Sequence, residues 1–338
     1  MIKEPLFFER NRVGRVYTGG KLFNGLFGDE PIDNYEPEEW IASGVTALNE
    51  VSKGPKEGVS KIKGSDVYFD QLLKDYPEEL LGKGNKFRIL VKALDSAIRL
   101  PAQVHPDKEF SKQYFNSTYG KTECWLILDT RPDAKIFFGF KDGVTRADLE
   151  KAVDDSLTDP DAMEKLMREI NPKVGDFFLV PAKTVHAIGK GCLILEVQEP
   201  TDFTIQPEHF CGEYRLSEKE MYIGLDRKTA LDCFNFGEPP KAQLEPMEKE
   251  RAEGYVKDSL VGPANTDCFI VDRIRLTGGE YTANLDNNYA IYIVVNGEGK
   301  LCGEGYSKDI KKGDYFFMPA CLMGQFKMSG NLEIVECY

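Results

Sequence analysis

The chain has 338 residues, which is more than one typical domain, so two domains are the expected organisation. Its 56 acidic and 43 basic side chains give a net charge of −13, and a field of that sign repels nucleic acids and anionic lipids. We therefore expect neither nucleic-acid nor membrane partners. A small anionic ligand would need local lysines or arginines to overcome this field.

The N-terminus and the cysteines both favour a cytoplasmic protein. The first apolar stretch, residues 5–8, is too short for the core of a signal peptide, and no later apolar run approaches the length of a membrane span. The eight cysteines are scattered and never form a CxxC pair. Free, buried thiols are the expectation for such a chain.

Taken in chain order, the elements predict a mainly β protein with two helical segments. The first segment covers 66–82, where apolar residues at helical spacing are followed by Gly82 and Gly84. The second covers 145–170 and is broken near Asp159 and Pro160. The predicted strands of the first part are short and cover 40–48, 87–94, 102–104, 123–128, 135–140, 177–180, 193–197 and 202–205. After Pro240, short apolar strands alternate with glycine turns and no segment favours a helix.

One pattern occurs twice, in residues 175–181 (GDFFLVP) and 313–319 (GDYFFMP). Each copy has a Gly-Asp turn, an apolar strand and a proline that ends the strand. Two copies separated by more than a hundred residues indicate a duplicated barrel. The copies differ beyond the proline, because His186 follows the first by five residues whereas Gly324 occupies that place in the second. The sequence therefore predicts domains at 1–240 and 241–338, with chemistry in the first.

The chain has three histidines, and two of them lie in a suggestive pattern. Gln103 and His105 are two apart in a predicted strand and so face the same side. Glu123 begins another strand, and His186 follows the first proline-terminated strand. If these four residues converge inside a small barrel, they suit Zn²⁺ or another first-row divalent ion. The alternative is a loop histidine at 105 and a hydrogen-bonded core histidine at 186.

Four segments carry a family resemblance: LVKAL (90–94), QVHPD (103–107), GKTECW (120–125) and GDFFLVPAKTVHAIG (175–189). They resemble type I mannose-6-phosphate isomerases, which are zinc-dependent members of the cupin superfamily. The resemblance covers about residues 17–204 and continues more loosely into the second domain. It implies two cupin (jelly-roll) β-barrels with a small helical insertion in the N-terminal part, and a degenerate C-terminal barrel without metal ligands.

The resemblance also implies a function and a set of site residues. The reaction would interconvert mannose 6-phosphate and fructose 6-phosphate through an enediol, with one Zn²⁺ per chain. The metal ligands would be Gln103, His105, Glu123 and His186. Lys121 and Glu196 would be catalytic, and Lys92 would line the substrate pocket, although an ion pair at the barrel edge is an equal alternative for Glu196.

Two positions depart from the family pattern. Where the family has an arginine that meets substrate charge, this chain has Gln206. Arg215 is the candidate replacement, and a structural salt bridge is the alternative role for it. Where the family often has a hydroxyl residue, this chain has Pro101, which has no donor. These departures leave two alternatives open: a metal-retaining, non-catalytic sugar-binding cupin, or an isomerase of a different sugar phosphate. An oxygenase is disfavoured by the ligand set, and the oligomeric state, monomer or homodimer, stays open.

Overall fold

The computed structural model describes residues 2–50 and 52–338. Within those residues the chain is mainly β, as the sequence predicts. The helices are α1 (Phe23–Phe27), α2 (Phe69–Asp75), α3 (Pro77–Leu81), α4 (Lys108–Phe115), α5 (Arg146–Asp155), α6 (Glu218–Tyr222) and α7 (Arg227–Leu231). The strands are β1 (Leu6–Phe7), β2 (Arg12–Val13), β3 (Glu38–Ile41), β4 (Leu90–Asp95), β5 (Glu123–Thr130), β6 (Ile136–Phe140), β7 (Met167–Ile170), β8 (Phe177–Val180), β9 (His186–Ile188), β10 (Cys192–Gln198), β11 (Phe210–Cys211), β12 (Tyr214–Arg215), β13 (Gln243–Leu244), β14 (Met247–Ala252), β15 (Tyr255–Val261), β16 (Val271–Thr282), β17 (Ala290–Gly303), β18 (Tyr306–Lys311), β19 (Tyr315–Met318) and β20 (Lys327–Cys337).

Two sheets build the part of the molecule that contains the predicted site. One has the strand order β13-β8-β5-β10-β4-β3-β2, and the other has the order β7-β6-β9. Their inward side chains form one apolar core, to which Trp125, Phe178 and Ile194 contribute from the larger sheet and Ile136 and Phe138 from the smaller. Because side chains alternate along each strand, this packing also turns Glu123 and Glu196 toward the interior.

A third sheet, of eight strands, forms most of the C-terminal part. Its order is β1-β19-β17-β20-β16-β15-β14, with β18 paired to β17. Two short strands cross the predicted boundary at residue 240, since β1 pairs with β19 and β13 pairs with β8. The division into 1–240 and 241–338 therefore stays a prediction, and so does the closure of each part into a separate barrel.

The two Gly-Asp motifs occupy equivalent places in the two parts. Asp176 accepts a backbone hydrogen bond from Ile127 of β5 at 3.0 Å, and Asp314 accepts the same bond from Val294 of β17 at 2.9 Å. The strand after each motif then pairs antiparallel with β5 or β17. This shared hydrogen-bonding pattern agrees with the duplication that the sequence suggests.

The predicted helices are only partly formed. Segment 66–82 contains α2 and α3, which separate at Tyr76 because Pro77 begins the second helix. The prediction of helix over 145–170 is wrong beyond Asp155. A 3₁₀ turn covers Glu164–Leu166, and β7 pairs with β6. Tertiary pairing overrides the helical periodicity in that segment.

The cysteines are free thiols, as the sequence predicts. All eight cysteines are free, and six of them are buried. In the part of the chain that the structure describes, none of the helices has the length and apolarity required to cross a membrane.

Candidate functional site

A cluster of two histidines and one glutamate lies inside the N-terminal part. His105 Nε2 is 3.0 Å from Glu123 Oε2, and His186 Nε2 is 3.3 Å from Glu123 Oε1. One potential ligand atom from each residue lies within 4.8 Å of the others, and all three residues are buried. Glu123 is the first residue of β5, and His186 is the first residue of β9.

Each imidazole is oriented so that Nε2 faces the cluster. His105 Nδ1 donates to the carbonyl of Phe203, and His186 Nδ1 donates to the carbonyl of Thr184, both at 2.9 Å. Backbone carbonyls on Nδ1 commonly fix the tautomer of a metal-binding histidine. His186 Nε2 is buried and has no hydrogen-bond partner among the described residues, which leaves its lone pair available.

The environment also keeps both imidazoles neutral, as metal ligation requires. Burial and the charge of Lys121 lower the pKa of His105 to about 3. Burial also lowers the pKa of His186. Two neutral imidazoles, each with an unprotonated Nε2, and one carboxylate form a donor set that fits a divalent first-row ion.

Gln103 lies next to this cluster through backbone pairing. Its N–H donates to the carbonyl of His186 at 2.9 Å, and its own carbonyl accepts from His186 N–H at 3.0 Å. Gln103 is buried and lines the adjacent cavity. The structure therefore brings together all four residues that the sequence identified as ligands.

Lys121 separates the cluster from the cavity. Its Nζ lies 2.6 Å from His105 Nε2 and 2.8 Å from Glu123 Oε2. Burial would raise the pKa of Glu123, but Lys121 and the two histidines hold it well below its usual range. The carboxylate is therefore charged, and the ammonium of Lys121 is poised between it and the cavity.

The cavity above Lys121 has a volume of about 820 Å³, which is ample for a hexose phosphate. Gln103, Lys121 and Glu196 are buried lining residues, and we call this part of the cavity its inner end. Gln103 and Lys121 contact the cluster, so the cluster lies next to the inner end. The lining of the cavity is rich in charged groups of both signs. The cationic residues are Arg15, Lys53, Lys92, Lys121 and Lys219, and the acidic residues are Glu36, Glu38, Glu50, Glu196, Asp202 and Glu220.

Lys92 and Glu196 face each other on neighbouring strands, in register across β4 and β10. Lys92 Nζ lies 3.0 Å from Glu196 Oε1, which is an ion-pair distance without hydrogen-bond angles. Burial raises the pKa of Glu196, and Lys92 only partly opposes this effect. Lys92, the predicted pocket lysine, and Glu196, a predicted catalytic residue, are thus direct neighbours.

Arg15 is a cavity residue that the sequence analysis missed. Its guanidinium lies 3.0 Å from Glu38 Oε1 and 3.0 Å from Asp202 Oδ1. Glu38 also accepts hydrogen bonds from Tyr17 at 2.5 Å and from Trp40 Nε1 at 2.6 Å. Partners this distant in sequence leave no local pattern. Glu9, Arg10 and Arg12 precede Arg15, so its charge does not distinguish it from its neighbours in the sequence.

The remaining predicted residues divide into two groups. Gln206 and Pro101 line the cavity, as expected from their positions. Arg215 does not: it is exposed on β12, where side chains alternate, and the neighbouring Tyr214 lines the cavity instead. The structure therefore gives no support to Arg215 as the replacement cation. The other expected role of Arg215, a structural salt bridge, is also not formed among the described residues.

The C-terminal part lacks equivalents of the ligands. Glu123 pairs with Val180 and Ala290 pairs with Met318, and both partners directly precede the proline of their motif. Ala290 therefore takes the place of Glu123, while Gly324 takes that of His186. Within the described ranges, the His105–Glu123–His186 group is the only His, Cys, Asp and Glu cluster with metal-binding geometry.

Comparisons with known proteins identify the family of the chain. A family model described as "Mannose-6-phosphate isomerase, cupin domain" matches residues 263–338. The chain is 30% identical to mannose-6-phosphate isomerase ManA of Bacillus subtilis, over 99% of both chains. It is 27% identical to mannose-6-phosphate isomerase of Streptococcus mutans, over 99% of this chain and 98% of that one.

Solved structures give the same result for the fold. A crystal structure of mannose 6-phosphate isomerase from Bacillus subtilis superimposes with a TM-score of 0.78 at 25% identity, covering 99% of this chain and 100% of that one. A putative mannosephosphate isomerase from Archaeoglobus fulgidus gives a TM-score of 0.74 at 21% identity, covering 100% and 99%. The agreement extends over both parts of the chain.

Proposed function

The chain belongs to the type I mannose-6-phosphate isomerase family of the cupin superfamily, and on that premise we propose that it interconverts mannose 6-phosphate and fructose 6-phosphate through an enediol. The observation that carries this proposal is the His105–Glu123–His186 cluster behind a lysine-lined cavity of sugar size. Histidine, glutamate and lysine groups at one end of a polar cavity suit proton transfer next to a carbonyl group.

Four residues would hold one divalent ion, most simply Zn²⁺: Gln103, His105, Glu123 and His186. Glu123 would be the only charged ligand, so the centre would keep a net positive charge. When bound, such an ion supplies Lewis acidity toward the sugar oxygens on C1 and C2. The orphaned Nε2 of His186 and the carbonyl-fixed imidazoles support this assignment.

We assign the proton transfer to Glu196. The carboxylate would remove the proton from C2 of the aldose and return it to C1 of the enediol, while a hydroxyl proton moves from O2 to O1. A buried carboxylate with a raised pKa is suited to take and return a proton near neutral pH. Lys121 would place its positive charge beside the substrate oxygens, and Lys92 would orient Glu196.

The remaining assignments follow from the same premise. The partner would be a small-molecule sugar phosphate. Eight free cysteines support a cytoplasmic location, because disulfides are rare there. The proposal is compatible with a monomer or a homodimer.

A coupled assay tests the function. Purified protein loaded with Zn²⁺ should convert mannose 6-phosphate to fructose 6-phosphate, and elemental analysis should find one ion per chain. Lys121→Ala should abolish turnover and keep the ion, whereas His186→Ala should lose both. An ion-loaded protein that binds mannose 6-phosphate without turnover would instead support the sugar-binding alternative. Turnover of another sugar phosphate, but not of mannose 6-phosphate, would support an isomerase of a different sugar phosphate.

A further inference from the structure

The charges that line the cavity leave one cation without a counter-charge. Four of the five cationic residues are paired with carboxylates: Arg15 with Glu38 and Asp202, Lys53 with Glu36, Lys92 with Glu196, and Lys121 with Glu123. Lys219, in contrast, forms no ion pair or side-chain hydrogen bond within the described ranges, and its side chain is exposed.

Lys219 lies on a short helix that is firmly attached beside the cavity. Ser217 and Glu220 cap α6 reciprocally, and Met221 is buried beneath it. The backbone N–H of Gln206 donates to the carbonyl of Met221 at 2.9 Å, and the Gln206 side chain donates to the carbonyl of Glu220 at 3.3 Å. The helix is thus fixed to the segment that contains the neutral Gln206.

The end of this helix forms part of the cavity wall. Lys219, Glu220 and Ile223 all line the cavity, and the backbone N–H of Ile223, which follows the helix, donates to the carbonyl of Lys219 at 2.8 Å. Its exposed ammonium is far more accessible than the buried ammonium groups of Lys92 and Lys121. A ligand entering the cavity therefore meets Lys219 with its charge available.

The overall charge of the lining makes this free cation important. The five cationic and six acidic lining residues leave a formal excess of one negative charge. An anionic ligand entering such a lining must find an uncompensated cation, because paired lysines already have their charge satisfied. Neither Gln206 nor Pro101 supplies one.

We propose that Lys219 binds the phosphate group of the substrate at the outer end of the cavity, opposite the end formed by Gln103 and Lys121. This inference rests on the proposed function, since it assumes a phosphorylated sugar as the ligand. Lys219 is a substrate-binding residue in this arrangement and takes no part in proton transfer. It contributes the charge that Gln206 lacks.

Lys219→Gln tests the assignment, with Lys112→Gln as the matched control. Lys112 is an exposed lysine on α4 that forms no ion pair within the described ranges and does not line the cavity. Isothermal titration calorimetry of zinc-loaded protein should show the Kd for mannose 6-phosphate rising about tenfold in Lys219→Gln, as expected for loss of one charge-assisted hydrogen bond. The Kd should be unchanged in Lys112→Gln, and Lys219→Arg should restore most of the affinity.

Unphosphorylated mannose and inorganic phosphate distinguish the group that Lys219 contacts. Lys219→Gln should weaken the binding of inorganic phosphate and leave the affinity for mannose unchanged. An unchanged Kd for mannose 6-phosphate, or an equal loss for mannose, would overturn the assignment. Because these measurements record binding, a protein that binds the phosphate through Lys219 without turnover would refute the isomerase function and leave this inference standing.

Discussion

A single side chain, that of Glu123, contributes both to the proposed metal site and to the stability of its surroundings. Its carboxylate contacts Lys121, both histidines and the indole N–H of Trp125, at 2.8 to 3.3 Å. It is fully buried, so removing its charge leaves the Lys121 ammonium without an anionic partner. The proposed metal site and the local stability therefore depend on the same group.

Glu123→Gln should lower zinc affinity by at least about a hundredfold, since loss of an outer-shell partner alone often costs ten- to a hundredfold. It should also destabilise the metal-free protein by about 3 kcal/mol through the unpaired Lys121. Zinc titration and urea unfolding measure the two effects. Glu199→Gln is the control, because this buried glutamate accepts, among the described residues, only the backbone N–H groups of Gly120 and Thr122. Equal zinc affinity in both variants would contradict the ligand assignment.

Glu38 predicts a pH dependence of stability. Burial opposes its ionisation, but Arg15 and Lys92 lower its pKa from the ordinary 4.5 to about 2. A folded-state pKa below the unfolded value stabilises the protein above pH 4.5, and this stabilisation is lost as the pH falls toward 2. The shift corresponds to about 3 kcal/mol at neutral pH.

Glu38→Gln should therefore lose about 3 kcal/mol of unfolding free energy at pH 7, and the difference from the unmodified chain should narrow between pH 4.5 and 3. Urea unfolding at a series of pH values measures this difference in unfolding free energy. Glu36→Gln provides the control, because its ion pair with Lys53 is about half exposed, and it should cost at most about 0.5 kcal/mol. A pH-independent difference for Glu38→Gln would contradict the assigned pKa.

The four proposed ligands could be predicted from the sequence, whereas the Arg15–Glu38 pair could not. Gln103 and His105 share a face by strand alternation. His186 is one of only three histidines, and it follows the first proline-terminated strand. Arg15 meets Asp202 from the far end of the N-terminal part, at 3.0 Å. No periodicity encodes such a contact, because it arises only when the strands pack.

At the element scale, the repeated Gly-Asp turns make a comparison possible within one chain. Gly175 and Gly313 both have a positive φ, of 91° and 88°. A Cβ at position 175 would meet nothing within 4 Å, whereas at position 313 it would lie 2.2 Å from the carbonyl oxygen of Leu26 in α1. The same turn is therefore free in one copy and tightly packed in the other.

Gly175→Ala should cost about 1 kcal/mol, the strain of an L residue at positive φ. Gly313→Ala should cost at least about 3 kcal/mol, because the backbone of α1 must also move. Urea unfolding of the two variants gives the difference directly. If the two substitutions cost the same, the approach of α1 to the second turn would be refuted.

Helix 145–170 shows the limit of element prediction. The capping box of Thr145 and Asp148 is local, so α5 begins where the sequence indicates. The later residues of the segment do not continue as a helix, because residues 167–170 form β7 and pair with the edge of β6. Local periodicity does not reveal a partner that lies elsewhere in the chain, so the helical piece predicted after Pro160 is absent.

At the scale of the whole molecule, the two parts share a core. One apolar cluster includes Val91 and Leu195 from the N-terminal part together with Phe317 and Cys337 from the C-terminal part. Phe69 of α2 packs edge-on against Phe317 with ring centroids 4.9 Å apart. The sequence predicted two repeats from local turns, but the shared core arises from long-range packing that neither repeat encodes alone.

This shared core predicts that the two parts unfold together. Separating them would expose the common apolar cluster and break the β1–β19 and β13–β8 pairings, so neither part should be stable when the other has unfolded. Both tryptophans, Trp40 and Trp125, lie in the N-terminal part, so their fluorescence monitors that part only. Far-UV circular dichroism includes the strands of both parts.

Urea titration of the metal-free protein should therefore give coincident midpoints by tryptophan fluorescence and by circular dichroism. Tyr315→Phe removes the hydroxyl that hydrogen-bonds Glu39 across the two parts, and it should lower both midpoints equally. Tyr306→Phe, a half-buried tyrosine on β18 of the C-terminal part, is the control and should shift neither by a comparable amount. Two separated transitions, with circular dichroism changing before or after fluorescence, would mean that each part is stable on its own.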